Sequence, residues 1–425
     1  MAVKPNQYMK FGPTVKDYME GINVERMRKE RLAKAQARLK KEGVAAAILA
    51  GPDFRYTTGL RTPMFIGSGA EQFAVVFAES DETVVFQQSQ HAKQNRILAP
   101  WIKPENFRPV PFLMPGVGPE GMKVTGPKAA DFVYEALRET KVEKELIGYS
   151  PLHGPMKDRL ESRGVKLTPA GGFMNEVRMT KTKDEIECLR WSAAMVDKAW
   201  WAMYENIKPG VRDRELSAIG AKILIEEGAE GPFYVSVRGG IYGAPNFMGM
   251  ITDRMMQYGD LCFCDIWGAM YLGYRTCYYR TWKVGCKPAA KEKEWYKKAY
   301  DELMEACDAI KPGLTTADIA KHFRPPSHYG WKDEIENYGD SLGHGLGLTQ
   351  HDMPWIQRNV SFEAPVVLEE NMTLAMETWY GEDGVGGCRI ENVGVITKNG
   401  FENFYRMPDE GILVPPNQIV IDPVV

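Results

Sequence analysis

The chain has 425 residues, 44% of them hydrophobic, and this length is enough to bury two separate cores. Its 53 Lys and Arg residues against 56 Asp and Glu give a formal net charge of -3, so it lacks the positive field of a nucleic-acid-binding protein. No apolar run reaches the roughly 18 residues of a membrane span, the first residues lack the apolar core of a secretion signal, and the cysteines are scattered, so we expect a reduced, cytoplasmic protein without membrane binding.

The first part of the sequence alternates helical and strand patterns. Apolar residues at helical spacing predict a helix over 23–42 that ends at Gly43. The Gly-Pro-Asp sequence at 51–53 predicts a turn. Apolar and β-branched runs predict strands over 44–50, 73–77 and 83–87. The alternation is typical of an α/β domain, which we place at residues 1–178.

A second domain, residues 179–425, begins with a long amphipathic helix that opens at 181–185. Its apolar positions recur at helical spacing and are Ile186, Leu189, Ala193, Val196, Trp200, Met203 and Ile207. A later helix carries Ala299, Leu303, Ala306 and Ile310, and both helices lead to an Ile-Lys-Pro-Gly sequence. The repeated ending indicates a pseudo-symmetric domain.

Acidic residues and histidines follow one another through this second domain. In chain order they are Asp265, His344, His351, Glu377 and Glu391. Asp265 ends a predicted strand, and His344 stands in the glycine-rich stretch 343–348. Carboxylates and imidazoles bind divalent metals and also carry protons in catalysis, so these residues are candidates for an active site.

In this order and these sequence contexts, the chain from about Met179 to its end resembles the pita-bread metallopeptidases. That family includes methionine aminopeptidase, aminopeptidase P, prolidase and creatinase. The resemblance implies an α+β fold, with a C-terminal pita-bread domain preceded by a smaller creatinase-type α/β domain. It also implies a homodimer in which Arg55, Arg61 or Phe65 of one chain reaches the pocket of the other.

Carried over by position, the resemblance assigns metal ligation to Asp265, Cys277, His344, Glu377 and Glu391. It assigns His351 to contact with the substrate and with the developing oxyanion. Cys277 stands where the family has an aspartate that bridges two metal ions. Two hard cations need shared anionic oxygens, so we do not expect a dinuclear site. A single zinc or iron ion, which a thiolate suits, and a site without metal both stay open.

Two branches of the family share parts of this pattern. The segment 273–281 aligns without gaps with the segment of creatinase that also lacks the aspartate, and creatinase works without metal. A further family histidine is absent from 239–246. The chain also resembles the dimethylsulfoniopropionate lyases of this fold at 11–14, 26–28 and 400–403, but it lacks the extra aspartates of those lyases.

Aromatic residues stand beside most of the candidate positions, in particular Trp267, Tyr271, Trp355 and Trp379. Several rings around carboxylates suit a cationic group, through cation–π attraction of about 0.5–2 kcal/mol per ring. Together with Asp265 and Arg389, these four are the predicted substrate-binding residues. For each ring taken alone, packing in a core is the default interpretation.

We therefore predict a creatinase-like hydrolase that cleaves a C–N bond in a small cationic or zwitterionic metabolite, with His351, His344 and Glu377 as catalytic residues. Three alternatives stay open: a dimethylsulfoniopropionate-type lyase, a metal-dependent Xaa-Pro dipeptidase, and a non-catalytic pita-bread protein that binds a peptide or partner. The histidines and glutamates argue against the last of these, because a binding protein has no chemical need for them.

Overall fold

The computed structural model describes residues 21–61, 72–243, 252–329, 331–336 and 343–416. The chain divides into two compact units, Met1–Arg178 and Met179–Val425. No helix among the described residues is both long and apolar enough to cross a membrane. The predicted contact residue Phe65 and the segment 11–14 lie outside the described residues.

The first unit is built on one mixed sheet flanked by helices. Its helices are α1 (Val24–Lys41), α2 (Gly51–Thr58), α3 (Ser89–Leu98), α4 (Gly118–Glu139), α5 (Gly154–Ser162) and α6 (Gly171–Met179). Its strands are β1 (Ala46–Ala50), β2 (Phe73–Phe77), β3 (Ser80–Gln87), β4 (Phe107–Pro109), β5 (Leu146–Tyr149) and β6 (Lys166–Pro169). The strand order is β4-β3-β2-β1-β5-β6, with β1 antiparallel to β2 and parallel to β5. The core lies between the sheet and helices α4 and α5.

Local sequence explains most of these elements. Asn23 caps α1, because its side-chain oxygen accepts a hydrogen bond from the Arg26 amide at 2.9 Å, and Gly43 takes a φ of +67° just past its end. The predicted turn at 51–53 is wrong, because the structure continues into α2. Pro52 stands in the first turn of α2, where the missing N–H of proline breaks no helical hydrogen bond.

The second unit carries the candidate site residues on short sheets covered by long helices. Its helices are α7 (Lys183–Tyr204), α8 (Asp213–Glu226), α9 (Ala290–Ala309), α10 (Thr316–Ala320) and α11 (Arg358–Ser361). Its strands are β7 (Tyr234–Gly239), β8 (Leu261–Trp267), β9 (Ala269–Tyr271), β10 (Tyr274–Thr276), β11 (Tyr279–Lys283), β12 (Gly343–Gly345), β13 (Asp352–Ile356), β14 (Thr373–Glu382), β15 (Gly386–Thr397) and β16 (Gly400–Asn403). The sheet orders are β11-β8-β7, β10-β9 and β13-β12-β14-β15-β16.

The predicted apolar faces of the two long helices are confirmed. A capping box at Thr182 and Glu185 starts α7, and every predicted apolar position from Ile186 to Ile207 is buried. The residues predicted on the second helix are also buried. They pack with Leu374 and Met376 of β14 and Ile390 of β15 in one hydrophobic cluster. This packing fixes the two strands that carry the candidate glutamates.

Candidate metal centre and active site

The site lies where strand β11 meets strand β15. The Thr281 hydroxyl donates to the carbonyl of Arg389 at 2.9 Å and accepts from the Arg389 amide at 3.0 Å. The Arg280 guanidinium donates to the carbonyl of Glu391 at 2.6 Å. These bonds join the three-stranded sheet, which holds Asp265, to the five-stranded sheet.

Strand pairing sets the three carboxylates. Glu377 of β14 lies directly opposite Glu391 of β15, so both side chains project from the same face of the sheet. Asp265 of β8 lies opposite Tyr279 of β11. All three carboxylates are buried, at 6% exposure for Glu377, 1% for Glu391 and 7% for Asp265.

A thiol, an imidazole and a carboxylate converge in this pocket. Ligand atoms of Cys277, His344 and Glu391 all lie within 4.8 Å of one another. The Cys277 thiol donates to Oε1 of Glu391 at 2.6 Å, and its sulfur is 3.8 Å from Nε2 of His344. Such a set of donors is typical of a site for one transition-metal ion.

Glycines on both sides of His344 allow its strand to fit between two others. A Cβ atom on Gly345 would lie 2.0 Å from the Met353 carbonyl oxygen, and one on Gly343 would lie 2.6 Å from the Met376 sulfur. Larger residues would therefore push β12 away from β13 and β14. The Gly-His-Gly sequence is thus a packing requirement that delivers the imidazole to the pocket.

The hydrogen bond of His344 fixes its tautomer. Nδ1 lies 2.9 Å from the carbonyl oxygen of Gly345, which can only accept, so Nδ1 carries the proton. Burial, reinforced by the neighbouring His351, lowers the pKa of His344 to about 3. The ring is therefore neutral near pH 7, and its Nε2 lone pair points to Cys277.

Burial raises the pKa of several acidic groups in this pocket. Burial raises the pKa of Asp265 to about 7, although Arg238 and Arg389 act in the opposite direction. Burial and then the charge of Asp265 raise the pKa of Glu391 well above its ordinary value. Burial and then the charge of Glu391 raise the pKa of the Cys277 thiol well above its ordinary value. A bound cation would reverse these shifts, because it favours every anionic form around it.

Two carboxylate oxygens also lack hydrogen-bond partners. Oδ1 of Asp265 and Oε2 of Glu391 are buried and unsatisfied among the described residues. An unsatisfied buried acceptor costs about 1–3 kcal/mol, so these atoms need a cation or a donor. The residues present therefore fit one divalent ion on Cys277, His344 and Glu391. Asp265 and Glu377 stand outside that set of three but close enough for their charges to act on Cys277.

His351 lies at the outer side of this set. Its ring centroid is 4.5 Å from that of His344, and the side chain is exposed. Trp355 pairs with His344 across β12 and β13, and its ring lies 6.1 Å from His344 and 5.7 Å from His351. The structure thus brings together both predicted catalytic histidines and one predicted substrate-binding ring.

The other predicted substrate-binding residues have different neighbours. Trp267 stacks on Tyr234 at 4.3 Å, and Tyr271 stacks on Trp191 of α7 at 5.4 Å. The Arg389 guanidinium lies 5.3 Å from the Trp379 ring centroid, and the Trp379 side chain is buried. Their part in binding a substrate stays a prediction.

Sequence reasoning missed two residues that shape the site. Arg238 of β7 is buried, and its charge acts on Asp265. Tyr405 donates a hydrogen bond to the Cys277 carbonyl oxygen at 2.9 Å. A charged residue beside the β-branched Val235 and Val237 was a usable signal for Arg238, although no strand was predicted there. The second contact joins residues 128 positions apart, and the sequence carries no local sign of it.

Comparison with known proteins gives consistent matches. The family model described as metallopeptidase family M24 matches residues 187–398. A Xaa-Pro dipeptidase of Pyrococcus furiosus is 30% identical over 286 residues, which are 67% of this chain and 79% of that protein.

Solved structures match over nearly the whole chain. A Xaa-Pro dipeptidase from Bacillus anthracis superposes with a TM-score of 0.73 at 22% identity, covering 92% of this chain and 100% of that one. An X-Pro aminopeptidase from Thermotoga maritima superposes with a TM-score of 0.70 at 20% identity, covering 92% and 99%. At this identity the likeness shows the fold alone, and it confirms the predicted α+β pita-bread architecture.

Proposed function

The chain belongs to metallopeptidase family M24, and from this premise we propose that it is a hydrolase that cleaves an amide C–N bond in a small peptide-like substrate. We further propose that it works with one divalent metal ion, of the zinc or iron type, in place of two. The observation that carries this proposal is the convergence of Cys277, His344 and Glu391 within 4.8 Å, beside two unsatisfied carboxylate oxygens.

The donor set decides the number and kind of ion. Cys277 offers one sulfur where a shared aspartate would offer two oxygens to two cations, so the charge that holds a second ion is reduced. Thiolate and imidazole favour zinc or iron over magnesium or manganese. Three protein donors leave a coordination position open for a substrate, as catalytic zinc sites do.

The chain's own residues supply the rest of the chemistry. When bound, the ion would supply Lewis-acid polarisation of a substrate carbonyl. His351, which is exposed and has its ring centroid 4.5 Å from that of His344, is the candidate to donate a hydrogen bond to a developing oxyanion. The Glu377 carboxylate, opposite Glu391, is the candidate to hold the proton taken from the attacking water.

The substrate class rests on the relatives. The proteins reported above are named Xaa-Pro dipeptidase and X-Pro aminopeptidase. Their names support a short peptide and place the dipeptidase alternative above the creatinase-like interpretation that the sequence first favoured. The lyase and the non-catalytic alternatives gain no support from these names.

A second candidate rests on Cys277 itself. Because a thiol replaces the shared carboxylate, the pocket retains less negative charge to hold any ion. Metal-free cleavage of a C–N bond in a small cationic or zwitterionic metabolite, as predicted from the likeness to creatinase, then becomes the competing function.

One assay separates the two candidates. Purified protein would be incubated with Xaa-Pro dipeptides and, separately, with guanidino acids and betaines, each with and without a chelator. We expect hydrolysis of a dipeptide that the chelator abolishes and added zinc or iron(II) restores. Chelator-resistant turnover of a guanidino acid, without dipeptide hydrolysis, would replace this proposal with the second candidate.

A further inference from the structure

Tyr405 follows strand β16 by two residues and contacts the backbone of Cys277, one of the candidate metal ligands. Its side chain is buried, and its hydroxyl donates to the carbonyl oxygen of Cys277 at 2.9 Å. The same hydroxyl also bonds to the hydroxyl of Thr276. A phenol has one proton and the carbonyl can only accept, so Tyr405 donates to Cys277 and Thr276 donates to Tyr405. The direction of both hydrogen bonds is therefore fixed.

Cys277 depends on this contact for the direction of its peptide plane. The residue falls between strands β10 and β11, outside the ladder of either strand. The carbonyl groups on both sides of it have backbone partners, since Thr276 accepts from Gly268 at 3.0 Å and Tyr278 accepts from Ile266 at 3.2 Å. The Cys277 carbonyl takes its hydrogen bond from Tyr405, so this side chain fixes the peptide that bears the thiol.

Tyr405 is itself held from two sides. Its ring stacks on Tyr278 with centroids 3.6 Å apart. The next two amides along the chain, those of Arg406 and Met407, donate to the carboxylate of Asp197 on α7 at 2.8 and 3.3 Å. The hydroxyl is thus placed by contacts that do not involve the metal-binding side chains.

The segment from Tyr405 to Met407 is also connected to Glu391, the second candidate metal ligand. The Arg280 guanidinium donates to the Met407 carbonyl at 3.2 Å and to the Glu391 carbonyl at 2.6 Å. The Cys277 carbonyl is therefore linked to the Glu391 carbonyl through the Tyr405 hydroxyl, the chain from Tyr405 to Met407, and Arg280. A shift of the segment would move thiol and carboxylate relative to each other.

We propose that Tyr405 is a positioning residue for the metal centre, whose hydroxyl orients the Cys277 thiol toward Glu391 and His344 and so sets the affinity for a thiophilic divalent ion. This rests on the proposed function, because it assumes that an ion binds at Cys277. Groups that orient metal ligands from behind commonly change affinity by about 10–100-fold when removed.

The test is cobalt(II) binding to the full-length chain, followed by the sulfur-to-cobalt charge-transfer absorption. Tyr405→Phe removes only the hydroxyl, and we expect it to weaken cobalt binding about tenfold or more and to shift or diminish the thiolate band. Tyr204→Phe is the matched control, because it also removes one tyrosine hydroxyl that donates to a backbone carbonyl, that of Val414 at 2.8 Å, and neither residue belongs to the donor set. The control should keep both affinity and band while losing similar thermal stability.

The outcomes separate the two claims. A normal thiolate band and unchanged affinity in Tyr405→Phe would overturn the positioning role and leave the metal site intact. Absence of any thiolate band in the unaltered chain would overturn the metal site and this role with it. If Tyr405→Phe does not fold, Thr276→Val, which removes the hydroxyl that donates to Tyr405, should weaken binding in the same direction, and unchanged binding there would also refute the proposal.

Discussion

The Cys277 sulfur lies 2.6 Å from a carboxylate oxygen of Glu391, although the two residues are 114 positions apart in the chain. Arg280 holds their strands together through the Glu391 carbonyl. The family resemblance assigns a shared acidic ligand to the position of Cys277, and its thiol contacts Glu391 and His344. Because a thiol contacts Glu391 at this position, we expect one metal ion to bind. We expect this although the relatives are named as peptidases.

Cys277→Asp should increase the metal content. The new carboxylate would offer two oxygens beside Glu391 and Asp265, so a second divalent ion gains a shared ligand. We expect elemental analysis to rise toward two ions per chain, with manganese or cobalt accepted more readily than before. Cys388→Ala, a change at a buried cysteine of β15 outside the donor set, should leave the content unchanged. An equal rise in both variants would refute the assignment of Cys277.

His351→Ala should remove most of the turnover and little of the stability. Its ring faces the pocket beside His344 and is exposed, so its loss leaves no cavity in the core. Loss of one hydrogen-bond donor to a developing oxyanion costs about 10²–10³-fold in rate, while an exposed substitution changes the free energy of unfolding by roughly 0.5 kcal/mol or less. Steady-state kinetics and thermal melting measure the two effects.

His328→Ala is the control for that variant. His328 is also exposed, and its ring contacts Tyr380 at 6.1 Å. Unaltered kinetics in His328→Ala and a large loss in His351→Ala would support the assignment. Turnover retained within a few-fold in His351→Ala would remove His351 from the mechanism.

Trp355→Ala should weaken substrate binding. The Trp355 ring contacts both histidines, so a ligand that reaches them also meets the indole. Ligands that bind only the folded state raise its melting temperature. We expect Xaa-Pro dipeptides to raise the melting temperature of the unaltered chain, and to do so less in Trp355→Ala. Trp201→Ala, at an exposed position of α7, should respond like the unaltered chain. A response to betaines or guanidino acids and none to dipeptides would favour the cationic-substrate candidate.

Light scattering tests the predicted homodimer. The chain mass is 47.9 kDa, so a dimer gives about twice that value. We expect the dimer at micromolar concentration, because the likeness to creatinase implies it. A mass of a single chain under these conditions would contradict this prediction.

How far the sequence could predict the fold depended on the range of the interactions involved. The apolar spacing of α7 predicted its buried face, because helix periodicity is local. The turn predicted at 51–53 failed for a different reason. Gly-Pro-Asp fits a turn and also the first turn of a helix, and the burial of Phe54 and Tyr56 in the core favours the helix.

The candidate site was also predictable only as far as local sequence patterns reach. The family resemblance identified Cys277 and Glu391 as candidates. Their contact depends on how strand β11 packs against strand β15, and no local sequence pattern predicts that packing. Trp267 and Trp355 looked equivalent in sequence, each near an acidic or histidine residue. In the structure Trp355 contacts His344, while Trp267 stacks on Tyr234.

The most direct test of this account is the number and kind of metal ions in the purified, unaltered protein. Elemental analysis would be made on protein expressed with zinc, iron and manganese all present, and repeated on Cys277→Ala. We predict one zinc or iron ion per chain, lost in Cys277→Ala. Two tightly bound ions per chain, retained in Cys277→Ala, would contradict the single-metal site and restore an ordinary dinuclear centre.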